Sequence, residues 1–398
     1  MDRRELLKAF AAAALWPAAG SLYAVPATST RLLLVFLRGG YDAANLLVPL
    51  GSSFYYETRP NIAVSRPGSG PNAAVALDAD WGLHPALRET MGALFAKGHA
   101  AFIPFAGTDD LTRSHFETQD TIELGQSINQ SREYGSGFLN RLSAVLGAAP
   151  NHVRPIAFTD QLPIVFRGDA QVPNMALKSL GKPGVDARQA SIISSMYRHT
   201  ALKAQVGEGF SVREEVMHEV AGEMEAASRG AITARGFELE ARRIAKVMKE
   251  QFNLGFVDVG GWDTHVGEGG GTGYLAGRLE ELGRCLAGFA DEMGPAWRDT
   301  VVVVVSEFGR TFRENGNRGT DHGHGSVYWV LGGGIRGGRV AGTQVKVERN
   351  TLFQDRDYQV LNEYREVLGG LFARMYGLNA RELDRVFPAV RPKDVGLV

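Results

Sequence analysis

The chain has 398 residues, 43 basic and 44 acidic side chains, a formal net charge of −1 and one cysteine. That length buries a full core and suits one large α/β sheet as well as two domains. The balanced charge gives no overall field for nucleic acid or an anionic membrane, and Cys285 alone cannot close an internal disulfide.

Residues 1–27 read as a targeting signal and are set aside from the fold. "MDRRELLKAF" carries the Arg3-Arg4 pair ahead of the weakly apolar "AFAAAALWPAAG", the pattern of a bacterial twin-arginine export signal. Pro17 interrupts a segment already too short to span a bilayer. Cleavage after Ala24 or Ala27 fits the small residues there, although Leu22 is a poor third residue back from the cut after Ala24. The alternative is an N-terminal helix of the folded domain. The signal reading implies a periplasmic or otherwise exported protein whose precursor meets the twin-arginine export machinery. No later run is long and apolar enough for a transmembrane segment.

Apolar, β-branched runs follow at 31–37, 100–105, 154–159, 254–259, 300–306 and 327–331. They lack polar alternation, which marks strands covered on both faces. Helical patterns start at Pro85, Ala234 and Gly273 between them, and strand-helix alternation predicts a mostly parallel sheet with helices on both faces. The stretch from about 161 to 250 has helical patterns without a strong strand, so we expect a helical insertion in a single domain spanning 28–398. Residues 66–74, "RPGSGPNAA", are a loop by composition.

Open α/β sheets bind ligands beyond the carboxyl ends of their strands, which singles out the residues just after each apolar run. After the first comes "RGGYDAANLLVPL" with Asp42, and after the fourth "DVGGWDTHVGEGGG" with Asp263 and His265 two residues apart. In an extended loop that spacing sends both side chains to one side. The fifth strand ends in "SEFGRT" with Glu307 and Arg310, and "GTDHGHG" follows with Asp321, His322 and His324. Carboxylates and imidazoles together suit zinc first, with manganese, iron, calcium or magnesium as further fits. Each residue also has a structural use. Asp42 suits an N-cap, Asp263 and His265 suit a Gly-rich turn, Glu307 suits a pair with Arg310 or Arg313, and Asp321 suits a turn cap. His84 and His115 are single histidines, which more often pack than ligate.

"FLRGGYDAANLLVPL", "SHFETQD", "GGWDTH", "SEFGRT" and "GTDHGHG", in this order behind a twin-arginine signal, resemble a large bacterial family of exported proteins of unknown function. That family is similar to sulfatases and the alkaline phosphatase superfamily, and the resemblance spans nearly all of the mature chain. It implies an alkaline-phosphatase-like fold with Asp42, Asp263, His265 and either His322 or His324 as metal ligands. Where an Asp-His pair normally follows the fifth strand, this sequence has Glu307-Phe308, so one imidazole of a two-metal site is missing. The resemblance puts the nucleophile at the start of the helix after the second strand, where backbone N–H groups favour an oxyanion. Here "GTDDLTRSHFETQD" offers Thr112, Ser114 and His115, with Arg113 or Arg310 for anionic oxygens. Thr112 and Ser114 are equally good N-caps. A formylglycine sulfatase is excluded because no Cys-x-Pro-Ser-Arg signature is present.

The sequence therefore predicts a metal-dependent hydrolase-like protein acting on a phosphate or sulfate ester of a small molecule or glycan. The rival is a non-catalytic envelope binding or assembly protein that keeps the scaffold, and Phe308 favours it. A dinucleotide oxidoreductase is excluded, since "LRGGYDAAN" lacks the G-x-G-x-x-G fingerprint.

Overall fold

The computed structural model describes residues 30–147, 153–175, 187–200, 202–204, 206 and 238–398. The signal at 1–27 and the "VREEVMHEVAGEMEAA" pattern fall outside the described residues.

All six apolar runs form strands. In chain order the strands are β1 (Arg31–Leu37), β2 (Leu47–Pro49), β3 (Val75–Ala76), β4 (Trp81–Leu83), β5 (Ala100–Gly107), β6 (Pro155–Ala157), β7 (Leu254–Val259), β8 (Thr300–Ser306), β9 (Ser326–Leu331), β10 (Arg339–Val340) and β11 (Asn362–Glu363). The main sheet has eight strands in the order β10-β5-β9-β8-β1-β7-β6, with β11 also paired to β5. Every pairing is parallel except those of β9, which runs antiparallel to both β5 and β8. β2, β4 and β3 form a separate antiparallel ribbon.

Helices of ten residues or more are α1 (His115–Leu124), α2 (Phe138–Gly147), α3 (Ala187–Tyr197), α4 (Glu238–Glu250), α5 (Tyr274–Met293) and α6 (Tyr364–Tyr376). Successive residues of β1 point to opposite faces, as a pleated strand requires. Leu33, Val35 and Leu37 enter a core with Ile244 of α4 and Leu279 of α5, while Leu32, Leu34 and Phe36 enter a second core with Leu142 of α2 and Phe372 of α6. Helices therefore cover both faces, which is why β1 carries no polar residue after Arg31. α4, the last part of the expected insertion, packs in the main core through Ile244, Val247 and Met248. Among the described residues no helix is long and apolar enough to cross a membrane.

Candidate metal centre

Beyond the carboxyl edge of the sheet, the loops after β1, β5, β7 and β8 meet. Gly39 and Gly40 turn the chain after β1 with φ of +125° and +59°. A Cβ on Gly39 would lie 2.7 Å from the Asp263 backbone nitrogen, and one on Gly40 would strike the Phe308 ring. Both positions need glycine for these loops to close on one another.

His115, Asp263 and His322 come together there, with one ligand atom from each within 4.8 Å of the others. Asp263 Oδ2 lies 3.6 Å from His115 Nε2, and Asp263 Oδ1 lies 3.4 Å from His322 Nε2. His265 adjoins them, its Nε2 3.0 Å from Asp263 Oδ1 and 3.1 Å from His322 Nε2.

Each imidazole is held by its other nitrogen. His115 Nδ1 donates to Glu307 Oε1 at 2.8 Å and His322 Nδ1 to the Arg113 carbonyl at 2.9 Å, while His265 Nδ1 lies 3.4 Å from Asp321 Oδ1. These oxygens only accept, so the hydrogen sits on Nδ1 and a neutral imidazole then offers a bare lone pair at Nε2. Three lone pairs and a carboxylate thus face one region. His115 Nε2 is buried without a hydrogen-bond partner. The Nε2 atoms of His265 and His322 lie 3.1 Å apart, a distance that one shared hydrogen or a cation between them would hold. Tetrahedral zinc, with bonds of about 2.0–2.1 Å, sets its ligand atoms roughly 3.3 Å apart. Four of the separations, 3.0–3.6 Å, lie near that spacing, and the ligand atoms of His115, Asp263 and His322 as a set are gathered to within 4.8 Å.

The electrostatics of the group are divided: the Asp263 carboxyl and the His322 imidazole are held low, as a cation site needs, while the His115 imidazole is pushed up, toward the form that keeps a proton on Nε2. Burial pushes the Asp263 carboxyl up, but the hydrogen bond and charge of Arg310 hold it below the ordinary range. Burial, then the charge of His115, push the His322 imidazole down, which keeps it neutral and able to ligate. The His115 imidazole is raised, chiefly by its hydrogen bond to Glu307. Phe308 packs on both rings, 4.9 Å from His115 and 5.0 Å from His322 between centroids, and forms an apolar wall where the resemblance leads one to expect a ligand.

Several expected roles are corrected by the partners these residues have. Asp42 is buried outside the group, with both oxygens held by Arg59 and Oδ1 capping the short helix Ala43–Leu46 through the Ala44 N–H. Glu307 is fully buried and accepts from Gly39 N, His115 Nδ1 and Gln119 Nε2 at 2.8–2.9 Å, so it stands behind a ligand instead of being one. Arg310 has no N–H group turned to a substrate anion. It is buried and spends its N–H groups on the carbonyls of Gly39, Gly40, Trp262 and Thr320 and on Asp263 Oδ1. Arg113 is likewise engaged, by Asp357 and Gln354. Ser114 is the N-cap of α1, accepting from Glu117 N, and Thr112 accepts from Ser114 N. His324 is buried beside Phe353 and outside the group, where burial pushes its imidazole down to about 4. Asp321 sits behind His265 and accepts from Asn315 Nδ2 at 3.0 Å, as an orienting carboxylate would.

Sequence reasoning missed Arg59, Glu268 and Gln119. Arg59 and Glu268 lie in loops without a pattern. Gln119 had a signal, since it stands four residues after His115 on the same face of α1. Glu268 is buried and accepts from Thr264 and Thr320 hydroxyls at 2.8 and 2.9 Å, tying the two ligand-bearing loops together.

A family model described as "Protein of unknown function (DUF1501)" matches residues 29–387. The chain belongs to the DUF1501 family. A comparison with curated proteins finds no match. Among solved structures, this DUF1501 chain is similar to a protein in the alkaline phosphatase superfamily from Vibrio parahaemolyticus, at 13% identity, 83% coverage of this chain, 69% of that chain and a TM-score of 0.33. It is similar to the lipoteichoic acid synthase LtaP from Listeria monocytogenes at 8% identity, 93% and 76% coverage and a TM-score of 0.39. A third similar structure is Ps i-CgsB in complex with k-i-k-neocarrahexaose, at 9% identity, 89% and 73% coverage and a TM-score of 0.37.

Proposed function

We propose that this chain is an exported, metal-dependent hydrolase acting on a phosphate or sulfate ester of a small molecule or glycan. The observation that carries the reading is the convergence of His115, His265 and His322 Nε2 lone pairs on the Asp263 carboxylate. Those four residues would hold the ion, and three imidazoles with one carboxylate favour zinc over calcium or magnesium. A bound ion supplies Lewis-acid polarisation of the ester oxygen and a lowered pKa for water.

The chain's own residues set the rest of the chemistry. Glu307, the Arg113 carbonyl and Asp321 orient the three imidazoles. Phe308 excludes water from one side. With Ser114 capping α1 and Thr112 accepting from the Ser114 N–H, water is the nucleophile in this reading. Export through the twin-arginine route to the periplasm is supported by the Arg3-Arg4 pair ahead of a weakly apolar segment.

A second reading, a binding or assembly protein of the envelope that keeps the ion without turnover, is favoured by one feature. Arg113 and Arg310, the cations expected to hold anionic oxygens, are both spent on protein groups. Elemental analysis of the purified protein, with p-nitrophenyl phosphate and p-nitrophenyl sulfate turnover before and after chelation, decides among these. We expect one zinc per chain and product release that stops with chelator and returns with zinc. Stoichiometric metal without turnover selects the second reading, and absence of bound metal overturns both.

A further inference from the structure

We propose that Glu307 is a positioning residue for this centre: it fixes His115 as the Nδ1–H tautomer and so aims the Nε2 lone pair at Asp263 and His322. The inference rests on the reading of that centre as a metal site. Glu307 is fully buried at the end of β8. Its Oε1 accepts from Gly39 N at 2.8 Å, His115 Nδ1 at 2.8 Å and Gln119 Nε2 at 2.9 Å, and its Oε2 from the Ser306 hydroxyl at 3.1 Å. Three donors fill Oε1, and Oε2 faces the Ser306 hydroxyl, whose single hydrogen is shared with the Leu37 carbonyl at 2.7 Å. The same arrangement forces a hydrogen onto His115 Nδ1, because two acceptors 2.8 Å apart without one would repel.

A carboxylate behind a ligating histidine is the usual way to fix its ring and its tautomer, and it strengthens the far nitrogen as a ligand. Here the device does more than hold one ring. His115 and Gln119 stand one turn apart on α1 and share the same oxygen. The start of the helix is thereby fixed to β8, while the Gly39 bond fixes the turn after β1 to the same point. The sequence places a glutamate where the resemblance leads one to expect a ligating aspartate, and the longer side chain ends on His115 instead.

The test uses the full chain with 15N-labelled histidine, and His115→Ala assigns the resonance. Long-range 1H–15N spectra of the zinc-free wild-type protein near pH 7.5 should show His115 protonated at Nδ1 and bare at Nε2. Zinc affinity by chelator competition should fall about ten- to a hundredfold in Glu307→Gln, with a thermal melt to confirm folding. A neutral His115 protonated at Nε2 and bare at Nδ1, or a folded Glu307→Gln that binds zinc as tightly as wild type, overturns the inference. Should Glu307→Gln fail to fold, the wild-type tautomer alone decides. If the wild-type protein binds no zinc, the metal reading fails by itself, and the tautomer measurement still judges the role of Glu307.

Discussion

Arg59 and Asp42 form a chelating ion pair entirely out of water. Nη2 donates to Oδ1 at 3.0 Å, Nη1 donates to Oδ2, and the side chains are 0% and 1% exposed. The remaining donors of Arg59 go to Asn45 Oδ1 and to the carbonyls of Thr311 and Phe312 at 2.7–3.0 Å. The cation facing Asp42 is therefore a guanidinium supplied by the chain. Burial raises the neighbouring Glu268 carboxyl well above its ordinary value, and the charge of Asp42 adds to that.

From that pair we expect Asp42→Asn to destabilise the fold strongly while leaving metal content intact. Removing one partner strands a buried charge, which costs about 3–5 kcal/mol. Urea unfolding should report that loss, and elemental analysis should still find the wild-type amount of zinc. A fall in zinc on folded Asp42→Asn would make Asp42 a ligand after all.

The main sheet was legible because its strands are covered on both faces and read as unbroken apolar runs. The direction of β9 was not, since apolar periodicity carries no polarity. The clue lay in the link from Ser306 to Ser326, which contains no helical pattern, whereas a parallel crossover usually needs one. At the site, the places of Asp263, His265 and His322 after strands were enough to expect them in one crevice, and the structure brings them together. His115 was seen as a catalytic candidate and Glu307 as a ligand, and the structure pairs the two with each other. A carboxylate after a strand suits a ligand or a ligand's support equally well, and only the donors around it decide. Asp42 was misassigned because its partner, Arg59, lies seventeen residues on in a loop with no pattern.

Export is tested in the precursor. Replacing Arg3 and Arg4 by Lys keeps the charge and removes the paired guanidinium motif. We expect the double variant to stay in the cytoplasm when cell fractions are blotted, while the unaltered precursor reaches the periplasm. Normal export of the variant would remove the twin-arginine reading.

His324 should give acid sensitivity to the fold. Burial, with the Arg113 charge adding to it and Asp110 and Asp109 opposing, pushes its imidazole from 6.5 down to about 4. The folded chain thus keeps His324 neutral where the unfolded chain takes a proton. This stabilisation is complete above about pH 6.5 and is lost as pH falls toward 4, about 3 kcal/mol in all. His324→Gln should flatten that part of the pH dependence, read as urea unfolding free energies of the two proteins at several pH values. A wild-type minus variant difference that does not change with pH would show that folding leaves the His324 imidazole unshifted.

The two histidines of "GTDHGHG" should separate cleanly in their effect on metal. His322 Nε2 lies 3.4 Å from Asp263 Oδ1 and 3.1 Å from His265 Nε2, and its Nδ1 is tied to the Arg113 carbonyl. Two residues on, His324 turns away, because Gly323 presses against the Arg310 backbone and leaves no room for a side chain there. Its imidazole packs 5.2 Å from Phe353 between ring centroids, away from the ligands. His322→Ala removes one of the converging nitrogens, so bound zinc should fall well below one per chain. His324→Ala opens a small buried gap instead, which should lower stability by a few kcal/mol while zinc stays near wild type. Both are measured by elemental analysis on the monodisperse fraction, so that unfolded protein does not count as lost metal. Full zinc in folded His322→Ala would leave Asp263, His115 and His265 to hold the ion without it. A loss confined to His324→Ala would move the centre toward Asp110 and away from the site described here.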